Sequence, residues 1–519
     1  VARRGLNCDK SIARVEEDLF TAKEYLHVKP QGGLPKERLV HMITGFGKYV
    51  PYIVHNANLI NLERAVLERV FYVKGENGEF TRPPQPDIKN FNANMKIFLT
   101  KLKRNLPTSI PMTRHEFVES YKDRRRIVYE KAALSLEAEG LSAKDSIITA
   151  FIKFEKIDAT NKASPVPRLI QPRDARYRVE TGRYLRPIEK IIYKAIARVF
   201  GNTTIFKGLN ASESGSKVYE KWTKFRKPVA ISLDASRFDQ HVSIPALEWE
   251  HSVYNYIYMN DPYLKWMLRM QLVNTGVGRV GDGVVRYRVN GCRGSGDMNT
   301  ALGNCLLMSA LVWSFMDTIG ISNYECCNNG DDSVIITETE NLPRIRNQLH
   351  EWFYSMGFNM KIEEPVYIIE KISFCQTQPV WTPSGYVMVR NPHTALIKDS
   401  ISIIPLNAEN AFRGYIGVLG LGGMSLTGGI PIWQAFYGCL SKHGTLKTNI
   451  TLESGMMMMA KRMDRKWCEV HPSTRESFRL AFNIDSDVQQ SKENEYSSRK
   501  LKHNVPKFRD GDISDPSFF

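Results

Sequence analysis

Four aspartates have the types and spacing to do chemistry: Asp234, Asp239 and the adjacent pair Asp331-Asp332. Asp234 ends a short apolar run, Val229-Ala-Ile-Ser-Leu233, that predicts a β-strand. Asp331 and Asp332 follow Asn328-Asn-Gly330 and precede a second predicted strand, Ser333-Val-Ile-Ile336, so both sit at the turn of a hairpin. Carboxylates on adjacent strands form a hard-oxygen donor set. Mg²⁺ takes one or two carboxylates and fills its octahedron with water and phosphate oxygens. Two such ions about 3.5–4 Å apart serve in-line phosphoryl displacement. An isolated Asn-Gly-Asp-Asp is also a good surface turn. Asp234 upstream, with a glycine- and serine-rich loop and a helix in between, turns the balance toward a site.

That middle element reads Gly291-Cys-Arg293-Gly-Ser295-Gly296-Asp297-Met298-Asn299-Thr300-Ala-Leu-Gly303-Asn304. Thr300 opens a helical run to Phe315, and Asn304 lies one turn later on the same face. A hydroxyl and an amide placed there suit a ribose, although Ser, Thr and Asn also cap helices. The pattern Gly276-Val-Gly278-Arg-Val-Gly281 matches a dinucleotide-binding fingerprint only superficially. A strand pattern follows it where the fingerprint needs a helix and an acidic residue about 20 positions on. No G-x-x-x-x-G-K-[ST] segment exists.

Other elements must hold these residues in place. Ser142-Ala-Lys-Asp145 has the spacing of a helix-starting box, and Tyr184–Tyr193 has helical periodicity. Residues 284–289 alternate like a strand, with Asn290-Gly291 expected to turn it. Leu342–Met356 predicts a helix ended by Gly357, residues 366–381 predict strands, and 396–485 predict mainly helix. The polar tail from Ser486 is expected to be loosely ordered. No internal repeat is present.

The chain has 519 residues, 42% hydrophobic and 24% charged, enough for several subdomains. Lys+Arg number 71 against 55 Asp+Glu, a formal net charge of +16 that points to a polyanionic partner. Residues 153–190 concentrate it, with ten Lys/Arg against five acids. The eight cysteines include no C-x-x-C pair and no zinc-like set with histidine, which fits free thiols in a reducing compartment. The chain begins at Val1 with no apolar signal region, and the missing Met is read as a sign of a longer product. Gly414–Cys439 carries no charge but holds eight glycines and Pro431, so it is expected to pack as helices rather than to span a membrane.

Asp234-Ala-Ser-Arg-Phe-Asp239, then Ser295-Gly-Asp-Met-Asn-Thr300-Ala-Leu-Gly-Asn304, then Asn329-Gly-Asp-Asp332, in this order, resemble the palm motifs of plus-strand RNA virus RNA-dependent RNA polymerases, with the tombusvirus-like enzymes of plant viruses nearest. The resemblance covers roughly residues 150–440. It implies Asp234 and Asp331 as the principal metal ligands and Asp332 as a weaker or outer one. It also implies Asp239 and Asn304, assisted by Ser295 and Thr300, as readers of the ribose 2′-hydroxyl. Only a group bonded to that hydroxyl can strongly reject the sugar lacking it. Two Mg²⁺ ions are the implied cofactors, and Mn²⁺ takes the same oxygen ligands.

The basic segment resembles the fingertip motif of these enzymes, which implies Lys153 and Arg168 at the NTP entrance with Glu155 bracing a basic partner. Lys156, Arg173 and Arg176 are further candidates for RNA or phosphate contact. The resemblance makes Lys361 a candidate general acid for departing pyrophosphate. Phe374-Cys375-Gln376 resembles the primer-grip hairpin, with Cys375 expected to be packed rather than reactive.

The implied fold is α+β, a right-hand polymerase with an antiparallel-sheet palm and a closed fingertip region. Fingers are expected over 1–215, including the basic segment 150–198. The palm is expected over 216–382 with a fingers insertion near 255–290, and the thumb and tail over 383–519. Template RNA and NTPs are the implied partners, with an upstream replicase portion or auxiliary replication protein carrying membrane attachment. The implied location is the host cytoplasm, at membrane-associated viral replication complexes. Two other readings stay open: a reverse transcriptase on the same palm, and an inactive RNA-binding subunit. Asp239 and Asn304 argue against the first, and the full set of aspartates with Lys361 against the second.

Overall fold

The computed structural model of the chain describes residues 2–13, 24–43, 52–75, 77–158, 164–446 and 454–503. Its centre is a four-stranded antiparallel sheet in the order Tyr324–Asn328, Asp332–Glu338, Pro228–Ala235, Met360–Ile362. Val229, Ala230 and Ile231 are buried in succession, because this strand is covered on both faces. The helix Thr300–Thr318 packs beneath it and is apolar almost all round, as a helix enclosed on every side must be. It meets helices Ile88–Lys103, Ala175–Phe200, Ile244–Ile257 and Leu342–Ser355 in one core.

A second sheet has five strands in the order Tyr25–Pro30, Gly283–Asn290, Val273–Val280, Ile148–Ile152, Leu169–Ile170, with one parallel pair between 273–280 and 148–152. Val273–Val280 contains most of the glycine-rich decoy, which is therefore a strand. The hairpin turn lies at Gly281-Asp282, because Val280 pairs with Gly283. Asn290-Gly291 is not that turn, contrary to expectation. Gly291 leaves the sheet in the left-handed region at φ 65° and donates to the Leu272 carbonyl at 2.8 Å, which sends Cys292 and Arg293 toward Asp239.

A three-stranded sheet joins residues before 43 to the segment just after residue 400, with Leu39–Met42 between Ala2–Arg4 and Ile401–Ser402. A third region packs hairpin Thr377–Thr382/Gly385–Arg390 against helices Ala211–Trp222 and Pro472–Phe482. Helices Glu409–Thr427 and Trp433–His443 pack closely here; a Cβ on Gly423 would fall 2.2 Å from the Tyr437 ring. This is the uncharged Gly414–Cys439 stretch, folded as two helices. Among the described residues no helix is long and apolar enough to cross a membrane.

Three further expectations need correction. The Ser142–Asp145 box forms, but it closes one 3₁₀ turn before the strand Ile148–Ile152 rather than a long helix. Of residues 366–381, only 377 onward is strand, and Ile369–Lys371 is a 3₁₀ turn. The polar tail forms a helix, Ser486–Ser498, because Arg475 grips Glu493 at 2.8 Å and Tyr496 buries its ring against Phe436. Residues 504–519 of that tail, and Lys162 of the basic segment, lie outside the described residues. Each of the two largest cores among the described residues draws on several parts of the chain. The largest core mixes residues 91–106 and 177–205 with 231–360, and the second mixes 206–230 with 369–501.

His55 and His251 are buried, and burial lowers each ring to about 4. The unfolded chain then takes up these protons first as pH falls through 6.5. Their contribution is complete above that pH and is lost toward 4, by up to about 3 kcal/mol per ring. The melting temperature is expected to drop between pH 7 and pH 5, by less in His55→Gln; calorimetry at both pH values checks it.

Candidate active site

Antiparallel register aligns the acidic residues. Asp234 lies directly opposite Asp332 on one side and Lys361 on the other. Residues directly opposed share a face with Cβ atoms about 4.5–5.5 Å apart. Asp332, Asp234 and Lys361 therefore form one row across three strands, and all three are exposed, as is Asp331. The Asp332 carboxyl is raised by desolvation and then by Asp331, while a Cys375 hydrogen bond and Lys207 pull it down. Among the described residues no three acid, His or Cys side chains already form a cation cage. Mg²⁺ normally uses one or two carboxylates plus water and phosphate, and the all-oxygen set Asp234, Asp331 and Asp332 fits that chemistry.

The turn itself is held from below. Asn328 is fully buried; its side chain donates to the Cys305 carbonyl and to Ser309 Oγ, both at 2.9 Å, and accepts from the Gly330 amide at 2.7 Å. Asn329 N–H bonds to the Asp332 carbonyl at 2.9 Å. Gly330 sits at φ 105°, a conformation that requires glycine, and presents Asp331 beyond the sheet.

Asp239, Ser295 and Asn304 come together. Asn304 Nδ2 donates to Asp239 Oδ1 at 2.7 Å, and Ser295 lies close enough to act on the same carboxylate. Burial raises the Asp239 carboxyl, and its bond from Asn304 and the Arg293 charge oppose that rise. Asn304 Oδ1 is buried with no protein donor. An orphaned acceptor of this kind is costly unless a ligand hydroxyl reaches it. Thr300 departs from expectation: its hydroxyl donates to the Gly294 carbonyl at 2.8 Å, so it shapes the loop carrying Ser295.

Two buried ion pairs fix that loop. Arg293 is paired with Glu250, which also accepts from Tyr254 and Asn299 at 2.8 Å each. The Arg293 amide donates to the Asp239 carbonyl at 2.9 Å. Arg173 pairs with Asp297 at 2.6 and 3.1 Å and donates to the Ser146 carbonyl at 2.7 Å. The expected phosphate contact for Arg173 is thus corrected, since its side chain is 1% exposed and its donors are occupied. Arg176 is likewise committed, to Asp145, Ser135 and the Gly140 carbonyl. Lys156 is buried and donates to the Lys398 carbonyl at 2.9 Å, which ties it to the C-terminal region. By contrast, Lys153 and Arg168 reach solvent and converge on Glu155 Oε2, at 2.7 and 3.4 Å. That is the expected bracing arrangement.

Sequence reading missed Lys207 and the part played by Asn328. Ile205 bridges to Asn328, which carries Lys207 to the Gly330-Asp331-Asp332 turn, half-buried and within electrostatic reach of Asp332. No motif marked it; only the strand pairing brings it there. Lys207, Asn329, Phe374, Cys375, Met456 and Met459 all line a cavity of about 470 Å³. Burial and then Asp332 push the Cys375 thiol up to about 12, in line with the expected unreactive cysteine.

Arg173→Ala is expected to destabilise the protein by about 3–5 kcal/mol, because it strands Asp297. Lys153→Met should leave the melting temperature nearly unchanged, because its ion pair with Glu155 is at the surface. Thermal unfolding of both variants checks this contrast.

The family described as viral RNA dependent RNA polymerase matches residues 26–504. The chain is similar to the RNA-directed RNA polymerase of Maize chlorotic mottle virus, 43% identical over 89% of the chain and 48% of that protein. Those of Tobacco necrosis virus (strain A) and Turnip crinkle virus are 41% and 40% identical, each over 92% of the chain and over 66% and 62% of the relative. The chain thus spans about half to two thirds of the length of the curated relatives it matches. Shared identity on this scale, over a sheet that aligns Asp234, Asp332 and Lys361, makes the chain a member of the viral RNA-dependent RNA polymerase family.

Proposed function

We propose that the chain copies an RNA template into RNA by metal-dependent nucleotidyl transfer during viral genome replication and transcription. The observation that carries this reading is the row Asp332–Asp234–Lys361 standing beside the Asp239–Asn304 pair. Asp234 and Asp331 would hold the ions, with Asp332 as the outer ligand. Two Mg²⁺ or Mn²⁺ ions bound there supply charge neutralisation at the attacking and leaving oxygens. Asn304 Oδ1 accepts the 2′-hydroxyl proton of the incoming ribonucleotide while Nδ2 stays on Asp239. Ser295 lies close to the same carboxylate and helps to keep it charged. Lys361, in register with Asp234, lies where an ammonium proton can pass to pyrophosphate. Lys153 and Arg168, balanced by Glu155, receive the triphosphate.

On this reading the four-stranded sheet is the palm. The five-stranded sheet, including strands 273–280 and 283–290, belongs to the fingers, and the helices after residue 391 form the thumb. The pairing of 39–42 with 401–402 closes the hand. Template RNA and NTPs are the partners. An upstream replicase portion or an auxiliary protein would bring the enzyme to membrane-associated replication complexes in the host cytoplasm.

Asp331→Asn is expected to abolish Mg²⁺-dependent incorporation of radiolabelled rNTPs on an RNA template; incorporation at the wild-type rate would sink the proposal. Asn304→Ala and Asp239→Ala should lower rNTP use by about 10-fold or more while dNTP use changes little. Preferential dNTP incorporation by the wild type would instead favour a reverse transcriptase.

A further inference from the structure

Cys375 and Gln376 form a two-residue hairpin turn. Phe374 and Thr377 exchange both backbone hydrogen bonds, at 2.9 and 3.1 Å, and Thr377 Oγ1 adds a third to the Phe374 carbonyl at 2.7 Å. Cys375 has φ 53° and Gln376 φ 60°, so both central residues are left-handed. This is the type I′ geometry that Asn-Gly adopts readily and that side chains such as these resist. Strain of this kind persists where the surroundings enforce it, and it gathers at functional sites.

The turn points the Cys375 thiol into the loop that carries the aspartates. Asn329 Nδ2 donates to Cys375 Sγ at 2.9 Å. The Cys375 thiol also lies close enough to the Asp332 carboxyl for each to act on the other. Asn329 and Asp332 are themselves joined by a backbone bond at 2.9 Å. Asn329 thus bonds both partners, the thiol through its side chain and Asp332 through its backbone, and holds the thiol beside the carboxyl. A thiol can accept one bond and donate another at once, which alanine cannot do and serine can do with a shorter reach.

We propose that Cys375 is a positioning residue that fixes the Asp332 carboxylate, and that the strained Cys375-Gln376 turn exists to deliver its thiol there. The hairpin Thr377–Thr382/Gly385–Arg390 is thereby locked to the catalytic turn, so a displacement of one is felt by the other. Without the thiol, Asp332 keeps its place on the sheet but loses its rotamer constraint. Asp331 and Asp234 are not touched by the change. The inference rests on the proposed polymerase site and deepens it.

The test uses the full chain and three variants: Cys375→Ala, Cys375→Ser and, as a control on the site, Asp331→Asn. Mn²⁺ binding is measured by calorimetry without RNA or NTP, and kcat and KM are measured on an RNA template with Mg²⁺. For Cys375→Ala the expected result is Mn²⁺ binding weakened about 10-fold and kcat lowered about 10-fold, with the NTP KM within about 2-fold of wild type. Cys375→Ser should recover most of both losses, which a space-filling role would not predict. Wild-type metal binding and kcat in Cys375→Ala would overturn the inference, as would serine no better than alanine. If Asp331→Asn polymerises normally, the proposed site fails as well. If Asp331→Asn is dead while Cys375→Ala behaves as wild type, only the role of Cys375 falls.

Discussion

Two carboxylates face each other across neighbouring strands, and much of the surrounding structure answers that repulsion. Like charges directly opposed in a sheet destabilise it. Asp332 and Asp234 are held in this position by a register that runs for seven residue pairs, from Pro228↔Glu338 to Asp234↔Asp332. A slip of one residue would swap the side chains packed on the two covered faces of the central strand and break the fit on both. Burial of Ala230, Ile231, Ile335 and Ile336 therefore forces the acidic residues together. The core keeps an arrangement that the charges alone would reject, and Lys361 and Lys207 relieve part of the stress from two sides.

The Asp239–Asn304 pair and its loop depend on a different kind of constraint. Asp239 sits in a single helical turn, Phe238–His241, and Ser295 on irregular backbone, where no strand ladder fixes position. Buried ion pairs replace it. Arg293 with Glu250 anchors one end of the loop, and Arg173 with Asp297 anchors the other. Such pairs add little net stability against well-packed hydrophobes, but breaking one strands a buried charge. Their value here is geometric: each guanidinium has several donors in a fixed plane, so each sets a direction as well as a distance.

The sequence carries some of this plainly and hides the rest for physical reasons. The strands ending at Asp234 and starting near Asp332 are legible because their apolar runs are short and bounded. Their register is not, because it is set by contacts between residues about 100 positions apart. The pairing of Asp239 with Asn304 is legible through the motif order, since each residue lies at a fixed place in its own segment. Arg168 and Arg173 look alike in a basic stretch, yet one reaches solvent and the other is buried against Asp297. Only the fold of residues 270–300 over that stretch separates them. Lys207 and Cys375 have no periodicity or spacing to mark them; they matter because two loops distant in sequence meet at one turn. The polar tail looked disordered by composition, whereas a few residues, Gln489, Glu493 and Tyr496, suffice to dock it.

The pairing of His41 with Ser402 sets an order of events during synthesis. Leu39–Met42 can pair at once with Ala2–Arg4, but its other edge has no partner until about 360 residues later, and Tyr25–Pro30 waits for Gly283–Asn290. At ordinary elongation rates these edges stay open for on the order of tens of seconds on the ribosome. Unpaired edges are templates for wrong pairing. His27, Lys29 and His41, with Arg3 and Arg4 on the terminal strand, put polar and positive groups along them. A nascent chain truncated before residue 401 would hold every aspartate of the site without this joint between its early and late segments.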